Sequence, residues 1–389
     1  MKAVWRHARA EAVRVFSDPG ALLVLVGAVV LYSFFYPIPY LPQVLREVPI
    51  AAVDLDHSPL SRQLVRMADA HSLIQVSFRP ESLAEAERLV IAGQAGGALV
   101  IPRGFEEDVF RRRKAQVGVF ADASYFLVYR QVATGLRETV GTLSAGIDIR
   151  RLESRGKTES AARAARDPLP FITRPLFNAA EGYASYIVPA VLVLILQQTL
   201  LVGIGLLGGT SAERSLQSGG GTAWADALTR LVGRAAFYVT LYSAYTALIF
   251  TAVFRIYGFP QRSSGLALAA FALPFLLAGV FLALALGGLF SRRETAMQVL
   301  LFTSLPSVFL AGFAWPIEAV PAWLRGISLL LPSTAGIAGF LRLAEMGAGL
   351  PHVRFEWIVL WSLAGLYFVL ALLSEYRSSR AHGKAALPK

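Results

Sequence analysis

The spacing of apolar runs constrains this chain more than any other feature. One run of membrane-crossing length, 21–40, stands alone near the N-terminus, and a mostly polar stretch, 41–182, follows it. Five further runs fill the second half: 184–207, 235–254, 265–290, 295–314 and 357–374. A helix needs roughly 20 apolar residues to cross a bilayer. The pattern therefore predicts an α-helical integral membrane protein with six transmembrane helices and a folded domain inserted between helices 1 and 2. The first run does not read as a cleaved signal peptide. Its apolar part is too long, and it ends in Tyr36-Pro37-Ile38-Pro39-Tyr40 where small residues would be needed.

Composition agrees. Of the 389 residues 55% are hydrophobic and only 16% charged, with a mean hydropathy of +0.53, whereas soluble domains carry about 25% charge. With no cysteine, disulfides and Cys-ligated metals are excluded. The net charge of +11 would suggest nucleic acid until it is divided. Residues 41–182 hold 19 Lys and Arg against 17 Asp and Glu, so the excess flanks the spans, where the positive-inside rule expects it. Nucleic-acid binding is not expected. With the N-terminus inside, the short inner segments (1–20, 208–234, 291–294 and 375–389) carry 13 Lys and Arg, and the short outer ones (255–264 and 318–356) carry 5. Both termini are read as cytoplasmic and the insert as extracytoplasmic.

Residues 2–18 predict an amphipathic helix: Val4, Trp5, Ala8, Ala12, Val15 and Phe16 share an arc, opposite Lys2, Arg6 and Arg9. Such a helix lies in the interface against the lipid of the anionic inner leaflet. Asp18-Pro19-Gly20 breaks it before the first span. In the insert, strands are expected at 48–55, 73–78, 97–101 and 117–121, with helices at 58–70, 81–94 and 105–114 and a long helix over 125–155. Alternation of this kind argues for an α/β domain with at least partly parallel strands. Residues 156–170 read as a linker, closed by Asp167-Pro168-Leu169-Pro170. Beyond the fifth run, 315–350 reads as short outer helices, re-entrant or interfacial, because its charge-free part 326–341 is too short to span.

No motif supports catalysis on this chain. The nearest approach to a phosphate-binding loop is Gly156-Lys157-Thr158, but Arg151 stands where the first glycine is required. No catalytic, cofactor or metal residue is assigned. Asp54, Asp56 and His57 could suit a metal, but the chemistry of a strand end followed by Ser58-Pro59 favours helix capping. The run Arg111–Lys114 suits a helix C-terminus, with docking to lipid head groups or an acidic partner as the alternative. Gln197, Gln198 and Thr199 lie mid-span; they bond between helices or line a translocation path. The inner loop 208–230 carries Glu213, Arg214 and Trp224, more than a plain linker needs, and reads as a docking element.

Five stretches taken in order resemble the membrane subunits of ABC-2 type ABC transporters, in the drug-exporter branch: 48–61 (VPIAAVDLDHSPLS), 98–105 (ALVIPRGF), 209–214 (GTSAER), 312–321 (GFAWPIEAVP) and 331–342 (LPSTAGIAGFLR). The resemblance covers nearly the whole chain. It implies an export permease of the bacterial inner membrane, with ATP and Mg held, and ATP hydrolysed, by two copies of a separate ABC ATPase. It implies a homodimer or a heterodimer with a second permease, and an outer domain that contacts a periplasmic adaptor or shapes the exit. It assigns ATPase coupling to Glu213, Arg214 and the N-terminal helix with Trp5 and Arg9. After Arg214 the chain departs from the family pattern, with a polar, glycine-rich 215–221. Relatives of this layout also include secretion-apparatus components and surface receptors that do not pump, which stands as the alternative.

Overall fold

The computed structural model describes residues 1–214 and 224–385. The chain divides into two compact units, Met1–Gln43 with Pro175–Lys389, and Val44–Arg174. The membrane unit therefore keeps 41–43 and 175–182, which the hydropathy pattern placed with the insert.

The N-terminal helix α1 (Lys2–Ser17) buries Ala8, Glu11 and Val15. Trp5 and Phe16, read from sequence as part of one apolar arc, are 74% and 57% exposed. The helix thus has a packed stripe and, beside it, an apolar stripe not covered by this chain. Asp18, with extended backbone, ends α1 and caps the first span, α2 (Pro19–Tyr40), by accepting from Gly20 and Ala21 N–H at 3.0 Å. Proline at the first helical position costs no hydrogen bond there.

The inserted unit is a four-stranded sheet ordered β2-β1-β3-β4: β1 (Val48–Asp54), β2 (Ile74–Phe78), β3 (Gly97–Ile101) and β4 (Gly118–Ala121). Strand β1 runs parallel to both β2 and β3, and β4 is antiparallel to β3. Helix α3 (Pro59–Asp69) starts as the sequence indicates, with Ser58 Oγ accepting from Ser61 N–H at 3.0 Å. It shares one core with β1, β2, β3, α5 (Phe105–Phe110) and α6 (Phe126–Glu153), while α4 (Leu83–Ile91) packs Ala86 against Ala51, Val53 and Ala98 on the other face. Helix α5 stops four residues before the expected 114. Arg112 adopts φ +57, and the N–H groups of Arg112 and Arg113 bond back to the carbonyls of Val109 and Asp108, a left-handed stop that overrides the cation run. The expected linker 156–170 contains a helix, α7 (Glu159–Arg166), capped by Thr158.

The second half holds α8 (Tyr183–Arg214), α9 (Trp224–Tyr257) and α10 (Gly265–Gly287). The expected loop 208–230 is largely helical: 208–214 continue α8, 224–230 open α9, and 215–223 lie outside the described residues. Instead of one span over 295–314 there are two short helices, α11 (Arg293–Phe302) and α12 (Ser304–Leu310). Pro306 supplies the reason, since its ring removes the N–H that would reach the Phe302 carbonyl and crowds that carbonyl. Helices α13 (Ala322–Ser328) and α14 (Pro332–Ala344) meet at 84°, and α15 (Leu350–Arg377) closes the unit. Among the described residues, five helices are long and apolar enough to cross a membrane, or six if the bent pair α13–α14 counts as one span. The sixfold expectation holds in number only if that pair replaces 295–314. At one end of α2 and α8, the rings of Tyr36, Tyr40, Tyr183 and Tyr186 follow one another at 5.4, 5.8 and 6.2 Å, the amphipathic aromatics expected near a membrane–water boundary.

Candidate functional site

The N-terminal helix lies against α9 at Gly233, where a Cβ would stand 2.6 Å from His7 Cβ and 2.7 Å from the Val4 carbonyl oxygen. That approach brings Glu11 to the wall of α9. Glu11 is 2% exposed; Arg14 donates to it at 2.8 Å, Tyr238 Oη donates to it at 2.7 Å, and Arg234 Nε lies 3.2 Å away. Arg234 also pairs with Glu375 of α15. Burial pushes the Glu11 carboxyl up, but Arg234, Arg14 and the Tyr238 hydroxyl together hold it below its ordinary value. Arg14 reaches α8 as well, donating to Ser211 Oγ and, at 3.2 Å, to the Leu207 carbonyl.

A second cluster adjoins the first. Arg293 forks onto Asp18 with bonds of 2.6 and 2.9 Å, and these hold the Asp18 carboxyl below its usual range. The N–H of Arg293 donates to Glu213 Oε1 at 2.9 Å. Glu213 therefore caps α11, where a carboxylate suits the free N–H groups and the helix dipole. The close contact explains the glycine pair in the segment GGTSAER. A Cβ on Gly208 would overlap the Gly287 carbonyl, and one on Gly209 would lie 2.6 Å from the Arg292 backbone. Together the clusters join the ends of α1, α2, α8, α9, α11 and α15, and the first of them lines a cavity of about 310 Å³ with Glu11, Arg14, Ser211, Arg234 and Glu375.

The residues singled out from sequence divide around this joint. Glu213 belongs to it. Arg214 is the last described residue of α8, and its side chain lies outside the described residues. Trp5 and Arg9 lie on the exposed side of α1. Trp224 is 47% exposed and stacks on Tyr376 at 3.7 Å. Gln197, Gln198 and Thr199 lie elsewhere. Gln197 is fully buried; its amide accepts from Ser333 N–H at 2.5 Å and donates to Ser333 Oγ at 3.1 Å, so it caps α14. Thr199 donates to the Ile195 carbonyl and accepts from Tyr242 Oη at 2.9 Å. Gln198 keeps both amide atoms buried with no hydrogen-bond partner among the described residues.

Sequence reasoning missed Glu11, Asp18, Arg234, Arg293 and Glu375. One signal was available. Glu11 is the sole acid in an otherwise basic helix, and it shares the 3.6-residue stripe of Ala8 and Val15. The carboxylates of the metal-like cluster in the inserted unit are engaged with the backbone. Asp54 accepts from Asp56 and His57 N–H, and Asp56 from Phe105 and Glu106 N–H, capping α5 where Gly104 has no side chain to do so.

A family model described as ABC-2 family transporter protein matches residues 20–373. The chain belongs to this family. It is a multi-pass transport permease. It is 24% identical over 380 residues to "Inner membrane transport permease YhhJ" of Escherichia coli strain K12, covering 91% of each chain. It is 26% identical over 348 residues to "Probable multidrug ABC transporter permease YbhS" of the same organism, covering 85% of this chain and 86% of the relative.

Proposed function

We propose that this permease is the membrane subunit of an ATP-driven exporter of small molecules of the drug class, energised by two copies of a separate ATPase that hold ATP and Mg. It works in the bacterial inner membrane as a homodimer or with a sibling permease, with both termini inside and Val44–Arg174 outside, where that unit meets a periplasmic adaptor. The basic bias of the short segments around the charged joint supports the orientation. The relative named for multidrug transport supports the substrate class.

The observation that carries this reading is the joint itself. Its groups lie at one end of six helices and are bonded to one another rather than only to solvent. A force applied at Glu213 and the exposed side of α1 reaches the start of α11 through Arg293 and the start of α2 through Asp18. Through Arg14 and Glu11 it reaches α8, α9 and α15. Buried ion pairs have few alternative partners, so such a joint moves as a unit or switches between discrete arrangements. Of the three polar residues read as path-lining, Gln198 has amide atoms left to meet a substrate. Replacing Glu213 with Ala removes the cap on α11. ATP-dependent efflux should fall by about tenfold or more, within the usual range of coupling energies, while membrane insertion is unchanged. Normal efflux in that variant overturns the coupling role.

A further inference from the structure

In the inserted unit, β2, β1 and β3 run parallel, so their C-terminal ends form one edge. The chain leaves β1 through α3 toward β2 on one side, and leaves β2 through α4 to reach β3 on the other side of β1. The two helices cover opposite faces. Connections that diverge in this way leave a crevice at the carboxyl ends of the strands, the usual ligand position in open α/β sheets. Here it is a cavity of about 960 Å³ lined by Asp54, Arg62, Arg66, Arg79, Glu81 and Arg103, at the upper end of the sizes that hold small ligands.

Its arginines come from three places: Arg62 and Arg66 from successive turns of α3, Arg79 from the residue after β2, and Arg103 from the segment after β3. Arg62 donates to the His57 carbonyl at 2.6 Å. Arg66, Arg79 and Arg103 have no carboxylate partner among the described residues. Some cations of this unit do have one, Arg111 with Glu107, Arg113 with Asp108 and Arg163 with Glu159; what sets Arg66, Arg79 and Arg103 apart is that they line one concavity. Of the two acids at the crevice, Asp54 has both oxygens occupied, by the N–H groups of Asp56 and His57 and by Ser61 Oγ. Glu81 alone does not offset the cations. Like charges held around one concave surface are favourable when an anion sits between them. Guanidinium forks match the paired oxygens of a phosphate.

We propose that this crevice binds a phosphate-bearing organic anion, held by Arg66, Arg79 and Arg103. The assignment is independent of the coupling role of the joint. It is tested by calorimetric titration of the full chain in detergent with inorganic phosphate, glycerol 3-phosphate and dihexanoylphosphatidylglycerol. The expected result is saturable binding of glycerol 3-phosphate or the short-chain lipid, tighter than that of inorganic phosphate. Binding of both assigns a lipid head group; binding of glycerol 3-phosphate alone assigns a soluble ligand. The triple variant Arg66→Gln/Arg79→Gln/Arg103→Gln should weaken this binding by about tenfold or more with its thermal unfolding unchanged. The control Arg111→Gln/Arg112→Gln/Arg113→Gln removes the same formal charge elsewhere on the unit and should keep the affinity. Absence of saturable binding at millimolar concentrations overturns the proposal. So does equal affinity in the crevice variant, or equal loss in the control.

Discussion

In the membrane unit, Glu11 is 2% exposed between Arg14, Arg234 and Tyr238, and Asp18 is gripped by both terminal nitrogens of Arg293. In the inserted unit, the pairs Arg111–Glu107 and Arg163–Glu159 have side chains more than half exposed and follow the i,i+4 spacing of an ordinary solvated helix. The two environments make the same chemistry do different things. An exposed pair is screened and worth about 0–1 kcal/mol. A buried group that loses its partner is left charged where water cannot reach it. The membrane unit has therefore buried the carboxylates of Glu11 and Asp18 against cations on other helices, a property suited to transmitting force. The inserted unit has folded around a sheet core and left its charges for solvent or for a ligand.

The comparison can be broken first at Arg234. Replacing it with Ala takes the shared cation from Glu11 and Glu375, leaving Arg14 on the first and Arg230 at 3.8 Å from the second, and should cost about 3 kcal/mol, visible as a large drop in thermal stability of the detergent-solubilised chain. Arg163→Ala in the inserted unit should change the same measurement by about 0.5 kcal/mol or less. Equal effects would erase the distinction.

Glu345, just beyond α14, sharpens it with pH. Burial raises its carboxyl from 4.5 to about 7, only partly offset by Arg262. A raised folded-state value means that the stabilisation is full below pH 4.5 and is lost as pH rises through 7. Glu345→Gln should therefore melt higher than the parent at pH 8, by up to about 2 kcal/mol in stability, and should match it at acidic pH. The joint behaves oppositely. Glu11 and Asp18 are held below their ordinary values, so their contribution is present at neutral pH and is lost only as acid protonates them. A smaller effect is expected at Gln197. Replacement by Leu removes both bonds to Ser333 and should cost about 1–2 kcal/mol, measured by thermal unfolding.

Much of the fold was legible because burial imposes a period. Long apolar runs gave most of the spans, and Ser58-Pro59 and the run GALVI gave the start of α3 and the whole of β3. Where one residue decides the backbone, legibility failed. Pro306 split a run that hydropathy averaged over, and the left-handed Arg112 ended a helix that the charge pattern extended. Of the site, Glu213 could be found because it sits in a motif. Asp18 was read as a helix breaker and Arg234 as flanking charge, because nothing local shows that Arg293 lies against the first and Glu11 against the second. Gln197 shows the reverse: a polar residue conspicuous in an apolar run is consumed by capping another helix.

The central claim is that the joint couples ATP hydrolysis on a partner to movement of the spans. Glu11→Gln tests it with little loss of packing, because Arg234 keeps Glu375 and the amide oxygen still accepts from Tyr238. The measurement is transported substrate per ATP hydrolysed by the complex of this permease with its ATPase in proteoliposomes. The account predicts ATP turnover close to that of the parent with transport per ATP reduced by about tenfold. An unchanged ratio at normal turnover would contradict it.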